Sequence, residues 1–203
     1  MERKIVTPGE LLFDFPKRVS GTYVENGKTY SAVLGMLSDG FFIPLKGRYT
    51  PFPGDLVVGV VMEERFSGYL VDVNAPFQGV LDSRDLRQEF KIGDVLIARV
   101  DSIDEINNLI LVDPKKLSNG EVLEVNAVTI PRIIGRNNSM IEMVRSLTKS
   151  EIFVGKNGRI FLKNGNIALA IEAIKKISNE AHTSGLTDRI KNFLEARLNE
   201  QSK

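Results

Sequence analysis

Residues 150–165 read SEIFVGKNGRIFLKNG, two runs of alternating apolar and polar residues split by Gly155-Lys156-Asn157-Gly158. A tight turn between twisted strands needs positive φ at its centre, and Asn-Gly reaches it at low cost, so this dipeptide is a strong hairpin signal. The sequence therefore predicts strands over Glu151–Val154 and Arg159–Lys163. Upstream lies an apolar lead-in from Ile130, then a polar turn, Gly135-Arg136-Asn137-Asn138. Met140, Ile141, Met143, Val144 and Leu147 follow at helical spacing. Downstream, helical patterns cover 167–181 and 186–198, parted by His182-Thr-Ser-Gly185. Gly185 suits a helix end that needs positive φ, and Thr187 or Asp188 can cap the next helix.

A turn before a helix, then two strands and a helix, is the order of a KH domain, whose Gly-x-x-Gly loop clamps the RNA backbone. Such a loop works because backbone N–H groups converge on phosphates where no Cβ intervenes, with a helix N-terminus behind. Here Asn138 stands in place of the second glycine. Asparagine tolerates left-handed backbone, which preserves the turn, while its side chain takes space the RNA backbone uses. Arg136, Asn137, Asn138 and Ser139 are the candidate contacts, with packing alone as the alternative. In the hairpin, Lys156 and Arg159 either face RNA or sit in a turn packed on a neighbouring domain. Turn chemistry explains both glycines and favours the second.

Before this region, 54–113 holds five candidate strands: 55–62, 69–74, 78–81, 95–100 and 109–112. A helical turn within 83–90 and glycines at the corners complete the pattern. Five short strands so punctuated predict an OB-type barrel, a fold that commonly holds single-stranded nucleic acid. The run from Gly59 through Ser67-Gly-Tyr-Leu-Val-Asp-Val, Phe77-Gln-Gly-Val-Leu and Ile92-Gly-Asp-Val resembles the OB repeat of ribosomal protein S-one. Where that repeat carries aromatics and a histidine, this chain has Ser67, Leu70 and Asp82. The stacking platform is thus largely missing, and Arg65, Arg84 and Arg87 are the expected phosphate contacts. A purely structural barrel is the other reading. Residues 114–120, Pro-Lys-Lys-Leu-Ser-Asn-Gly, read as a linker.

The first fifty-odd residues predict short strands at 19–24, 30–37 and 41–45, with turns at Asn26-Gly27 and Asp39-Gly40. So small a core calls for docking on another domain or protein. Phe13, Phe15 and Tyr49 are core residues or interface anchors, burial being the commoner fate of aromatics. The expected architecture is multidomain β plus α/β. It comprises a β domain over 1–53, a five-stranded OB barrel of the S-one type over 54–119, and an α+β KH domain over 120–203.

Charge follows these divisions. The net is +1 overall, but +2 over 1–53, −5 over 54–120 and +4 over 121–203. Because phosphate contacts are lost steeply with salt, the isolated chain is expected to bind RNA weakly and to work beside a partner. With no cysteine and one histidine, a disulfide framework and the common zinc clusters are excluded. No apolar run reaches the roughly 18–20 residues of a membrane span, and the start is not a signal peptide, so a cytoplasmic protein is expected. His182 at a helix end and the loop acids Asp101, Asp104 and Glu105 have ordinary structural readings. No nucleotide loop or nucleophile elbow appears, and no cofactor is expected.

The order of these pieces resembles the KH-bearing RNA-binding cap subunit of the archaeal exosome. The likeness rests on Gly47-Arg-Tyr-Thr-Pro-Phe-Pro-Gly-Asp55, the S-one-like barrel, Val154-Gly-Lys-Asn-Gly-Arg-Ile160 and Glu180-Ala-His-Thr-Ser-Gly-Leu-Thr-Asp188. The resemblance implies a non-catalytic subunit, three copies of which sit on a hexameric ring of RNase PH-like proteins. The N-terminal domain would dock, and single-stranded RNA would be captured and threaded inward for 3′-to-5′ degradation. An autonomous RNA-binding protein acting in translation or RNA regulation without a ring is the alternative. Polynucleotide phosphorylase also carries S-one and KH modules, but its catalytic core is absent here.

Overall fold

The computed structural model of the chain describes residues 3–201 apart from Arg18, Ser20, Asp39, Lys46 and Arg87. Two compact units divide between Arg48 and Tyr49. The first holds two three-stranded antiparallel sheets. In one, β1 (Arg3–Val6) and β6 (Phe41–Pro44) flank β5 (Gly35–Ser38). In the other, β2 (Leu11–Phe13) and β3 (Thr22–Glu25) flank β4 (Lys28–Ser31). The expected strand over 30–37 breaks in two, because its halves serve different sheets. The break is held by Ser31, which is fully buried and whose hydroxyl donates to the Val33 carbonyl. Val6, Leu12 and Phe42 form a small core that Phe13 joins, whereas Phe15 is 56% exposed.

The second unit opens with Tyr49 buried in the core of a closed five-stranded barrel. Its strands are β7 (Leu56–Arg65), β8 (Gly68–Asp72), β9 (Gln78–Asp82), β10 (Val95–Ile103) and β11 (Leu109–Leu117). They run in the closed order β10-β11-β9-β8-β7, with only β11 and β9 parallel. Val57, Val61, Val71, Leu81, Leu96, Val100 and Leu109 alternate inward, the period-2 pattern of a filled barrel.

The expected linker over 114–120 is mostly strand. Ile97 pairs with Lys115 and Arg99 with Val112, so Asp113 and Pro114 together oppose Ala98 as a bulge. Asp113 takes the left-handed conformation there (φ 52°), which lets β11 continue past a proline. Only Ser118 and Asn119 remain between β11 and β12 (Gly120–Glu124).

After β12 come α1 (Ile130–Ile134), α2 (Ser139–Thr148), the hairpin β13 (Glu151–Val154) and β14 (Arg159–Lys163), α3 (Ile167–Asn179) and α4 (Leu186–Gln201). This is the β-α-α-β-β-α order of a KH domain with one added helix. The sheet runs β12-β14-β13. Alternation along β14 divides its faces: Ile160 and Leu162 join Ile133, Val144, Ile174 and Leu194 of the helices. Phe161 between them points the other way, onto Val58 and Leu117 of the barrel.

The hairpin turn joins the two modules. β8 pairs with β7 only as far as Val60↔Asp72. Beyond that point the Asn157 carboxamide takes the strand's place: Oδ1 accepts from Val58 N at 3.2 Å, and Nδ2 donates to Val58 O at 2.8 Å. Nδ2 also donates to Val73 O at 2.8 Å, and the residue is 1% exposed. Lys156 N donates to Leu56 O at 2.8 Å. Gly155 lies so close that a Cβ there would stand 2.7 Å from Val58 N, which accounts for the first glycine of the motif.

Candidate nucleic-acid interface

The loop before α2 is shaped by backbone conformation. Pro131 starts α1 and Gly135 ends it, at φ 76° and ψ 174°, donating its N–H to Pro131 O at 3.0 Å. A Cβ on Gly135 would meet Met140 Cβ at 2.7 Å, so glycine is required by both conformation and space. Asn137 (φ 51°, ψ 39°) and Asn138 (φ 64°, ψ 10°) are both left-handed. The turn therefore survives without its second glycine, as asparagine's tolerance of this region predicts. The Asn138 side chain makes no capping hydrogen bond, and the Ser139 N–H at the start of α2 donates back to Arg136 O. Arg136, Asn137, Asn138 and Ser139 are all exposed and adjacent.

Facing this loop is the elbow between α3 and α4. The two sides enclose a groove of about 450 Å³, lined by Arg132, Arg136 and Ser139 on one side and by Ser184, Thr187 and Asp188 on the other. Arg189 holds the elbow in shape: its guanidinium bonds Ser184 O at 2.6 Å, the Thr183 hydroxyl, and Glu180 at 3.1 Å. Met140 and Leu186, which also line the groove, are 4% and 5% exposed and give it an apolar floor.

The other expected cations are placed differently. Arg65 is exposed and forks onto Glu63 at 3.1 and 3.2 Å. Arg84 bonds Asp82 through its side chain at 2.5–3.1 Å and through its backbone N–H at 2.9 Å, holding the Asp82 carboxyl down at about 2. A carboxylate so placed cancels much of a guanidinium's field toward a phosphate. Arg87 lies outside the described residues. Lys156 is exposed at the hairpin turn. Arg159, by contrast, is 8% exposed and bridges the modules, reaching Asp72 Oδ2 at 2.6 Å, Asp72 O at 2.8 Å and Glu124 Oε1 at 2.8 Å. Burial pushes the Asp72 carboxyl up, but Arg159 and the Asn74 N–H outweigh it and hold it below its ordinary value.

The expected set thus separates into a cluster on the loop at Arg136–Ser139 and residues scattered over barrel and hairpin. Arg132 was not among the expected contacts, although it sits four residues before Arg136 and lines the same groove. Phe66 was also missed: it lies at the tip of the β7–β8 hairpin, fully exposed beside Arg65. Tyr69 is buried edge-on against Phe90 at 5.7 Å. Asp104 closes its own loop by accepting from Ile106 N, Asn108 N and Asn108 Nδ2. Among the described residues no His, Cys, Asp and Glu cluster suits a metal ion. No helix among them is long and apolar enough to cross a membrane.

Comparison with known proteins agrees across both units. Residues 3–46 match the profile described as the exosome RNA binding protein RRP4 N-terminal domain. The exosome complex component Rrp4 of Pyrococcus furiosus is 39% identical over an alignment covering 98% of this chain and 85% of that protein. The chain belongs to the Rrp4 family of exosome components. Rrp4 of Methanosarcina mazei is 42% identical, covering 96% of this chain and 82% of its own length. A crystal structure provisionally described as an exosome complex RNA-binding protein superposes on 76% of this chain and 99% of its own, with TM-score 0.69 and 32% identity. Barrel, small N-terminal sheets and C-terminal α/β unit are therefore the architecture of an Rrp4-family chain.

Proposed function

We propose that this Rrp4-family chain is a non-catalytic, RNA-binding cap of a cytoplasmic exosome. Its N-terminal unit docks on a ring of RNase PH-like subunits, three copies to a ring, and the modules at 54–119 and 120–203 guide single-stranded RNA inward for 3′-to-5′ degradation. The observation that carries the reading is the match to exosome components along nearly the whole chain, through the N-terminal unit as well as the two modules. The exposed loop at Arg136–Ser139 supports the RNA arm. Its place at the N-terminus of α2 and its cationic lip suit a phosphodiester backbone. At the barrel, the Phe66 ring offers a stacking face beside Arg65, replacing the aromatics absent at 67 and 70.

The test is native mass of the chain mixed with an RNase PH-like ring, followed by a timed RNA-decay assay. A discrete complex with three copies, degrading RNA more processively than the ring alone, is the expected result, since tethering raises effective concentration. A chain that fails to associate over a range of salt, yet binds RNA tightly alone, would replace this reading with the autonomous RNA-binding protein.

A further inference from the structure

We propose that the groove between the Gly135–Ser139 loop and the α3–α4 elbow is a single-nucleotide RNA subsite that distinguishes ribose from deoxyribose. The RNA reading above is its premise. In the second unit every other described arginine has a carboxylate partner: Arg65, Arg84, Arg99, Arg145, Arg159, Arg189 and Arg197 each pair with an Asp or Glu. Among the described residues Arg132 and Arg136 have none, and both line this groove. Within the described residues of the second unit, their guanidiniums are the ones that no carboxylate meets.

The opposite wall has the opposite character. Asp188 is exposed, takes part in no ion pair or hydrogen bond among the described residues, and stands beside the hydroxyls of Ser184 and Thr187. A simple anion would gain from the arginines and lose to Asp188. A ribonucleotide suits both walls, because its phosphate is an acceptor-only anion while its 2′-hydroxyl is a donor. The phosphate lies against Arg132 and Arg136 beside the start of α2, and the 2′-hydroxyl donates to the Asp188 carboxylate. The base rests on the Met140 and Leu186 floor. A volume of about 450 Å³ suits one nucleotide. The walls are set beforehand, one by Gly135 and the other by the Arg189 bonds, so little ordering is needed on binding.

The experiment is fluorescence anisotropy of a short labelled oligoadenylate RNA and its DNA counterpart with the full chain, over a salt series. Arg132→Gln with Arg136→Gln is expected to weaken RNA binding at least about tenfold. The slope of log affinity against log salt should fall by about 0.7, the share of one single-strand phosphate contact. Ser184→Trp, an exposed position that fills the groove, should weaken binding comparably. Asp188→Ala removes a repulsive charge, so DNA binding rises, while the RNA-over-DNA ratio falls several-fold toward unity. A purely structural Asp188 would leave that ratio unmoved, and this result overturns the ribose arm. Wild-type RNA binding matched by the arginine double variant and by Ser184→Trp overturns the subsite alone. No RNA binding by any chain overturns both the subsite and the RNA arm of the proposed function, while ring association remains a separate measurement.

Discussion

Replacing Asn157 should unfasten the barrel from the KH module. Its carboxamide makes three hydrogen bonds to the backbone of Val58 and Val73, all in a fully buried setting. Asn157→Ala leaves one N–H and two carbonyls without those partners. At roughly 1 kcal/mol net for each bond, with an added penalty for buried groups left unpaired, the loss is about 3–4 kcal/mol. Asn157→Asp is the sharper test because it preserves shape. It keeps the acceptor for Val58 N but turns a carboxylate toward two carbonyl oxygens that need a donor, so near pH 8 it should cost at least as much as alanine. Burial and those carbonyls raise the folded-state pKa of this carboxyl above its unfolded value. The variant should therefore recover stability relative to wild type as pH falls from about 8 to about 5, where a protonated acid can donate again. Urea unfolding at several pH values measures both effects as shifts in midpoint at constant slope. An aspartate variant within about 1 kcal/mol of wild type at the alkaline end would refute the strand-substitute role of Asn157.

Arg159→Met should cost about 1–2 kcal/mol, a buried-pair loss discounted because Asp72 and Glu124 are partly exposed. Asp72 is held below its ordinary value in the folded state, so its contribution is present at neutral pH and lost as pH falls through that lowered value. The gap between wild type and variant in urea midpoints should accordingly narrow in acid. NMR titration should find Asp82 with a midpoint near 2, rising toward the ordinary carboxylate value in Arg84→Ala; an unchanged midpoint would show that the pair does not form in solution. At the loop, Gly135→Ala should lower the melting temperature measurably, by strain at φ 76° and the Met140 contact. Asn138→Gly, at a left-handed position both residues accept, should shift stability by less than about 1 kcal/mol.

The hairpin at 151–163 was legible to the residue, because Asn-Gly turn chemistry and period-2 alternation are local and agree. The barrel strands were legible for the same reason, though their ends extend under pairing that sequence does not display. The linker expectation failed at Pro114, where composition argued for loop. A left-handed Asp113 builds a bulge there, and a bulge depends on the partner strand. For Arg159 the sequence left both RNA contact and packing on a neighbouring domain open, with packing favoured, but its counter-charges lie 87 and 35 residues away, so no local pattern names them. Asn157 hid differently: the turn explains an asparagine completely, so nothing in the motif announces a second duty at the barrel edge. Likewise the Thr183–Asp188 break was visible as a helix boundary, but no local pattern says that it faces Gly135.

The hairpin's hold on β7 also bears on how this protein can be taken apart. A fragment ending near residue 119 would retain all five barrel strands yet strip the cover from Leu56 and Val58. The Leu56 carbonyl and the Val58 amide and carbonyl would lose their partners and form an open stretch of sheet beside apolar side chains, a template for joining another copy. Self-association of such a fragment, or RNA affinity measured on it, would describe that raw edge rather than the barrel in the intact chain. Dissection is better done by substitution at Asn157, which loosens the joint while leaving the KH module in place to shield it.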